Sequence, residues 1–329
     1  MARKFLAGML AGVLVLAMGS AAAWGAVVRI NLGVVTKPGS AQNIAADRFK
    51  EIIEKDSAGQ IKVRVHHSAS LGNETEILQQ IQMSQVQMGI ITVGPFDTFD
   101  PIVRVINYPF IFKDNAQADK ILDGPLGKEI LKHLEKVGFK GLAFSENGFR
   151  NLSNNKRPVK SADDVKGLKI RVMQSPLHKA IWQALGANPT PMPWPIYSEL
   201  EQGVIDGQEN PLWVFEVYKM YEVQRFATLT RHVYSAHIDV ASLNWWKTLK
   251  PKTQDMIQKA MYQAAVYQRA FNREHDAARL ALLKAKGMQV ITDCDTASFR
   301  EKVAGLKNMD LFGKPEVKNL LQKMLEATR

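Results

Sequence analysis

The chain has 329 residues, 46% hydrophobic and 23% charged, with a formal net charge of +11 and one cysteine, Cys294. That length exceeds one ordinary domain and predicts two. A lone cysteine excludes an internal disulfide, so core burial must hold the fold, and basic residues scattered among acids predict a solvated surface more than a nucleic-acid site.

The N-terminus reads as an address. Arg3 and Lys4 precede an apolar run over 5–18, and small residues at 20–23 follow as a cleavage site. This is the pattern of a cleaved signal peptide, expected over residues 1–25, and it places the mature protein in the periplasm. The run is too short for a bilayer of about 30 Å, which takes about 20 apolar residues. Export removes nucleic acid as a partner.

Strand and helix patterns then alternate, which predicts an α/β fold with mostly parallel sheets. Residues 27–35 read as a strand, 41–56 as an amphipathic helix, 61–66 as a strand, 74–85 as a helix and 88–93 as a short apolar strand. A helix near 116–137 precedes a strand at 139–144, which runs into a turn at Asn147-Gly148. In the second set, 168–172 is a strand, 177–185 a helix, 188–192 a proline-broken strand and 197–203 a short helix. The polar segment Asp206-Gly207-Gln208-Glu209-Asn210 follows, its glycine read as a point of flexibility. A strand at 233–242 returns to the first set. Residues 251–286 form one helical stretch that either crosses both lobes or bends at an unplaced point.

Arg171 is the leading candidate for chemistry. It lies near the C-terminal end of the strand Leu168-Lys169-Ile170-Arg171-Val172, where open α/β sheets bind ligands, and its planar fork suits a carboxylate. A surface arginine on an edge strand is the competing reading. Arg150 follows the Asn147-Gly148 turn, where a hinge would let it reach a cleft; the alternative is an exposed loop residue. Asn210 can donate and accept toward a ligand, while Asp206 and Glu209 also suit a turn and a cap. Trp194 stands among prolines 191, 193 and 195 as an aromatic wall, with Tyr197 and Trp213 as further wall residues, Trp213 fitting the core better.

Enzyme signatures are weak. Ser153-Asn154-Asn155-Lys156 matches S-x-x-K, but no S-D-N or K-T-G accompanies it. His66 and His67 are adjacent on a strand and face opposite sides, so they cannot share a metal. The expectation is no catalysis, no metal and no cofactor. A secreted serine hydrolase built on Ser153 and Lys156 is the alternative from another class.

Motifs over the whole mature chain carry a resemblance. They include 38–63, beginning Pro-Gly-Ser-Ala-Gln-Asn, and Ser70-Leu71-Gly72-Asn73-Glu74. Asn147-Gly148-Phe149-Arg150, Lys169-Ile170-Arg171-Val172, Pro191-Met192-Pro193-Trp194 and the segment 206–210 complete them. Together they resemble the DctP-type solute-binding proteins of tripartite ATP-independent periplasmic (TRAP) transporters. The resemblance implies a two-lobed, type II-like periplasmic binding fold, with hinge strands and a long helix spanning both lobes. One lobe is expected at 26–147 with about 237–270, the other at 148–236 with about 271–329.

It further implies that Arg171 is the principal carboxylate ligand and Arg150 a second contact. Asn210 would bond near the carboxylate, Trp194 would form a wall, and Asn73, Glu74 and Thr92 would select the rest of the ligand. The implied partners are a small organic-acid anion and integral membrane subunits, with the protein itself a monomer. The chain departs from the family after Trp194: Pro195-Ile196-Tyr197 is one residue short and lacks the usual glutamate. A binding protein of an ATP-driven importer or a sensor is the nearest alternative.

Overall fold

The computed structural model describes residues 27–329. The expected signal peptide, 1–25, lies outside the described residues. Nine strands form one sheet in the order β2-β1-β3-β8-β4-β7-β5-β6, with β9 on β8. They are β1 (Val28–Gly33), β2 (Ile61–His66), β3 (Met88–Thr92), β4 (Phe139–Asn154), β5 (Lys169–Val172), β6 (Asn188–Pro191), β7 (Gly207–Asn210), β8 (Phe226–Ser242) and β9 (Gln289–Ile291).

Two parallel triplets, β2-β1-β3 and β6-β5-β7, flank an antiparallel pair of long strands. That pair makes the architecture. β4 and β8 run side by side from Phe139↔Ser242 to Asn154↔Phe226 and cross from one triplet to the other. The sequence pattern truncated both. The turn expected at Asn147-Gly148 is a register shift inside β4, where Gly148 takes φ +117° and the pairing with β8 continues. A bulge bends a strand without ending it, so a glycine there is not a terminator.

Local chemistry explains the helices. α1 (Ala41–Asp56) starts where the Ser40 hydroxyl accepts from the Asn43 N–H, and it buries Ala45, Ala46, Phe49 and Ile53. α2 (Glu74–Gln82) opens on a capping box: the Asn73 side chain accepts from the Thr75 and Glu76 N–H groups, and Glu76 accepts from Asn73 N–H. The expected helix at 116–137 is two, α3 (Asn115–Leu122) and α4 (Pro125–His133), because Pro125 cannot continue a helix but suits its first turn. α5 (Pro176–Ala184) covers the second triplet.

The long stretch resolves into α6 (Pro251–Glu274) and α7 (Asp276–Ala285), with the break at His275. Arg279 ties the break: its guanidinium donates to the Asn272 carbonyl and to Glu216. α6 is fastened to β4 and α3. Arg273 pairs with Asp119 at 2.7 Å and Glu146 at 2.6 Å, and Arg269 with Asp119 and Asp123. Among the described residues no helix is long and apolar enough to cross a membrane.

Gly207 corrects a second expectation. It was read as flexible, yet it is a buried strand residue without a positive φ; a Cβ there would meet the Ser153 carbonyl oxygen at 2.1 Å. Glycine is required by the close approach of β7 to β4. Gly207→Ala should therefore destabilise the fold by about 1–3 kcal/mol, the usual cost of overpacking. Denaturant unfolding checks this; an unchanged midpoint would contradict it.

Candidate functional site

The two triplets direct the C-terminal ends of their strands toward one cavity of about 40 Å³. Its lining includes Thr36, Gln42, Glu74 and Thr92 from the first half and Arg171, Met173, Trp194, Asn210 and Trp213 from the second, with Asn147 and His237 from the crossing strands. Five expected site residues meet here: Glu74, Thr92, Arg171, Trp194 and Asn210. Asn73 does not line the cavity, its side chain being spent on the α2 cap. Arg150 does not line it either. Tyr197 points away, its hydroxyl donating to Glu222.

Arg171 is 3% exposed. Its Nε and Nη2 both donate to the Met192 carbonyl, at 3.0 and 2.6 Å, which fixes the guanidinium plane and leaves Nη1 without an acceptor among the described residues. The expected carboxylate fork is thus only partly free, since one edge is held by backbone. The guanidinium carbon lies 5.6 Å from the Trp194 ring, a cation–π contact, and Trp194 meets Tyr218 edge-on at 4.6 Å. No carboxylate among the described residues forms an ion pair with Arg171. Burial and then the charge of Arg150 lower its pKa to about 10, which still leaves it a cation at neutral pH.

Arg150 is 0% exposed, not the solvent-facing residue of the turn reading. Because β4 continues through position 150, the side chain is buried in the sheet layer. Its Nε donates to Glu209 Oε2 at 2.5 Å and its Nη2 to Glu209 Oε1 at 2.8 Å, while Nη1 is buried with no hydrogen-bond partner among the described residues. Glu209 also meets His232 Nε2 at 3.1 Å and His178 Nδ1 at 3.3 Å. Burial pushes the Glu209 carboxyl up, but Arg150 and His178 outweigh it and hold it well below the usual range. Glu209 is therefore a buried counter-ion, neither a turn residue nor a cap.

Across the cavity, Glu74 is locked by neutral donors. Its Oε1 accepts from Gln42 Nε2 at 2.9 Å and from the Thr92 N–H at 2.7 Å. Gln42 in turn accepts from Thr36 Oγ1 at 3.0 Å. No cation among the described residues pairs with Glu74. Trp213, read as core, does both tasks: it is buried, donates to the Asn147 carbonyl at 2.8 Å, and lines the cavity. Sequence reasoning missed Thr36, Gln42, Asn147, Met173 and His237. Asn147 stood in a quoted motif and carried a signal; the others are common residue types whose convergence only the topology reveals. Next to the lining residues Thr36 and Trp194, the Lys37 N–H donates to the Tyr218 hydroxyl at 3.0 Å, joining the two halves.

A model of bacterial extracellular solute-binding protein family 7, DctP, matches residues 32–308. The chain is 34% identical to the 2,3-diketo-L-gulonate-binding periplasmic protein YiaO of Escherichia coli, over 91% of this chain and 92% of that one. It is 33% identical to the C4-dicarboxylate-binding periplasmic protein DctP of Rhodobacter capsulatus, over 84% of this chain and 80% of that one. A TRAP periplasmic solute-binding protein from Polaromonas sp. JS666, bound to D-erythronate, superposes with a TM-score of 0.87 at 33% identity. That match covers 91% of this chain and 98% of the other.

Beside the cavity two buried groups set a pH response. Burial lowers His237 to about 3 and raises Asp239 to about 8, and Ser145 donates to Asp239 at 2.8 Å. A raised acid loses its stabilising contribution as pH climbs from its unfolded value to its folded one; a lowered histidine loses its own as pH falls below its unfolded value. The two oppose each other below about pH 6.5, the ordinary histidine pKa, and only Asp239 changes between there and pH 8. Wild type should lose about 2 kcal/mol over that window relative to Asp239→Asn. Parallel pH dependences of thermal unfolding in the two proteins would contradict this.

Proposed function

The chain belongs to bacterial extracellular solute-binding protein family 7, the DctP family, and we propose that it is the periplasmic binding subunit of a TRAP transporter that captures a polyhydroxy monocarboxylic acid. The observation that carries this reading is Arg171: a buried cation with no carboxylate partner. Burying an unpaired charge costs several kcal/mol, and a ligand anion removes that cost by completing the pair. Arg171 and Asn210 line the same cavity, the Asn210 Nδ2 donating to Gln208 Oε1 at 2.6 Å, while Arg150 is paired with Glu209. Trp194 and Trp213 supply apolar walls that exclude water from the pair and so strengthen it.

Glu74 sets the rest of the ligand. A carboxylate with no ion-pair partner among the described residues accepts hydrogen bonds from hydroxyl groups and repels a second carboxylate. A hydroxy monoacid such as D-erythronate, the ligand of the Polaromonas protein, fits both ends. A four-carbon dicarboxylate, as named for the Rhodobacter relative, meets like charge at Glu74.

The mechanism is hinge closure about β4 and β8, between lobes at 26–147 with about 237–270 and 148–236 with about 271–329. The cavity takes its lining from both halves, so an acid enters it when the halves part. The Lys37–Tyr218 hydrogen bond then links the closed halves. The closed form is what the membrane subunits recognise. Export by the N-terminal signal and a monomeric state complete the proposal, with no chemistry performed on the ligand.

Calorimetry with D-erythronate and succinate tests it. Truncating one partner of a buried charge pair costs about 2–5 kcal/mol, so Arg171→Ala should weaken D-erythronate binding tens- to thousands-fold. Arg171→Lys should weaken it too, because an ammonium cannot bond Met192 and the ligand in one plane. Glu74→Gln should shift preference toward succinate by about tenfold, equivalent to about 1.4 kcal/mol. Near-native affinity in Arg171→Ala would overturn the site assignment.

A further inference from the structure

Gln42 lies in the first turn of α1 and is 1% exposed. Its amide joins two hydrogen-bond systems. On one side Nε2 donates to Glu74 Oε1 at 2.9 Å and approaches Thr92 Oγ1 at 3.5 Å. On the other, Oε1 accepts from Thr36 Oγ1 at 3.0 Å, and the Thr36 hydroxyl meets that of Ser40.

Glu74 settles the direction of these bonds. A carboxylate accepts and does not donate, so the amide nitrogen has to face it and the amide oxygen has to face Thr36. The Thr36 hydroxyl hydrogen is then spent on Gln42, and the hydrogen between Thr36 and Ser40 comes from Ser40. Ser40 still accepts from the Asn43 N–H, which caps α1. The helix cap, the threonine and the amide form one chain of a single polarity that ends on one oxygen of Glu74. Turning the amide over would set two acceptors face to face where Ser40, Thr36 and Gln42 are all buried, the costly arrangement for a polar group.

Glu74 is held unevenly as a result. Oε1 takes both the Gln42 amide and the Thr92 N–H, whereas Oε2 has no hydrogen-bond partner among the described residues. Two donors on one oxygen fix the rotation of the carboxylate and leave the other oxygen to accept from a ligand. Gln42 lines the cavity too, yet both of its amide atoms are committed within the protein. The whole chain lies in the first half, so it does not depend on closure.

We propose that Gln42 is a positioning residue for ligand selection, orienting Glu74 so that one carboxylate oxygen is kept for a hydroxyl group of the bound acid. The proposal rests on the selection of hydroxy monoacids by Glu74. A carboxylate set in advance spares the ligand the cost of ordering it.

Calorimetry with D-erythronate and succinate on wild type, Gln42→Leu, Glu74→Ala and the double variant tests it. Leucine keeps most of the bulk of glutamine and removes the amide. Gln42→Leu should weaken D-erythronate about tenfold and leave succinate within about twofold, because a loose Glu74 both receives hydroxyl groups and repels a second carboxylate less well. In the Glu74→Ala background the same change should alter D-erythronate affinity less than about twofold, since nothing remains to be oriented. Thr36→Val removes the hydroxyl that holds the amide and should act in the same sense, by about threefold. It carries the same comparison if Gln42→Leu does not unfold cooperatively. Equal loss for both acids, as a merely structural role would give, equal loss in both backgrounds, or no loss would overturn the assignment of Gln42 alone. Glu74→Ala with the wild-type preference between the acids would overturn the reading of Glu74 and this proposal with it, as would wild type that binds neither acid.

Discussion

Arg171 carries a full charge where water reaches 3% of its surface, and among the described residues only the Met192 carbonyl accepts from it. Much of the surrounding structure follows from keeping that charge in place without neutralising it. A carboxylate within reach would satisfy Arg171 and abolish its use. The protein instead places its buried carboxylate, Glu209, against Arg150 and two histidines. Arg150 is thereby compensated, while its charge still acts on Arg171 and on whatever anion joins it.

The cavity beside that charge takes its lining from both triplets. β4 and β8 supply the only strand connection between the triplets among the described residues, and they do so as one continuous antiparallel pair. Register shifts at Glu146/Gly148 and Arg150/Leu152 lie in the middle of the crossing, where the ladder is weakest and a bend costs least. α6 is fastened over the same point by Arg273 on Glu146 and Gln268 on the Glu146 backbone. The register shift and its brace therefore share one residue, Glu146.

Short elements were legible because their signals are local. The 3.6-residue spacing over 41–56 and the alternation over 61–66 match α1 and β2 in extent. The long strands were not, since Gly148 looks like an end when only neighbours in sequence are considered; its partner Ser235 is what carries the strand through. The same limit governs the site. Arg171 stood out as a basic residue in an inner strand, whereas Gln42 and Thr36 matter only because β1, β3 and α1 bring them to Glu74. Arg150 was found for its motif and misplaced in depth, because burial at position 150 depends on pairing with Val233, which lies far along the chain. Glu209 was discounted for a related reason: a polar run reads as a turn until β5 and β4 are known to enclose it.

The account stands on a negative charge being what the cavity recognises. The most direct measurement compares D-erythronate with its uncharged amide, D-erythronamide, by calorimetry on the wild-type protein at one ionic strength. The two ligands keep the same hydroxyl groups for Glu74 and differ only at the end that meets Arg171. The account predicts at least a hundredfold weaker binding of the amide, about 2.7 kcal/mol. Equal affinities would show that Arg171 is not an anion site, and the reading built on its missing partner would fail.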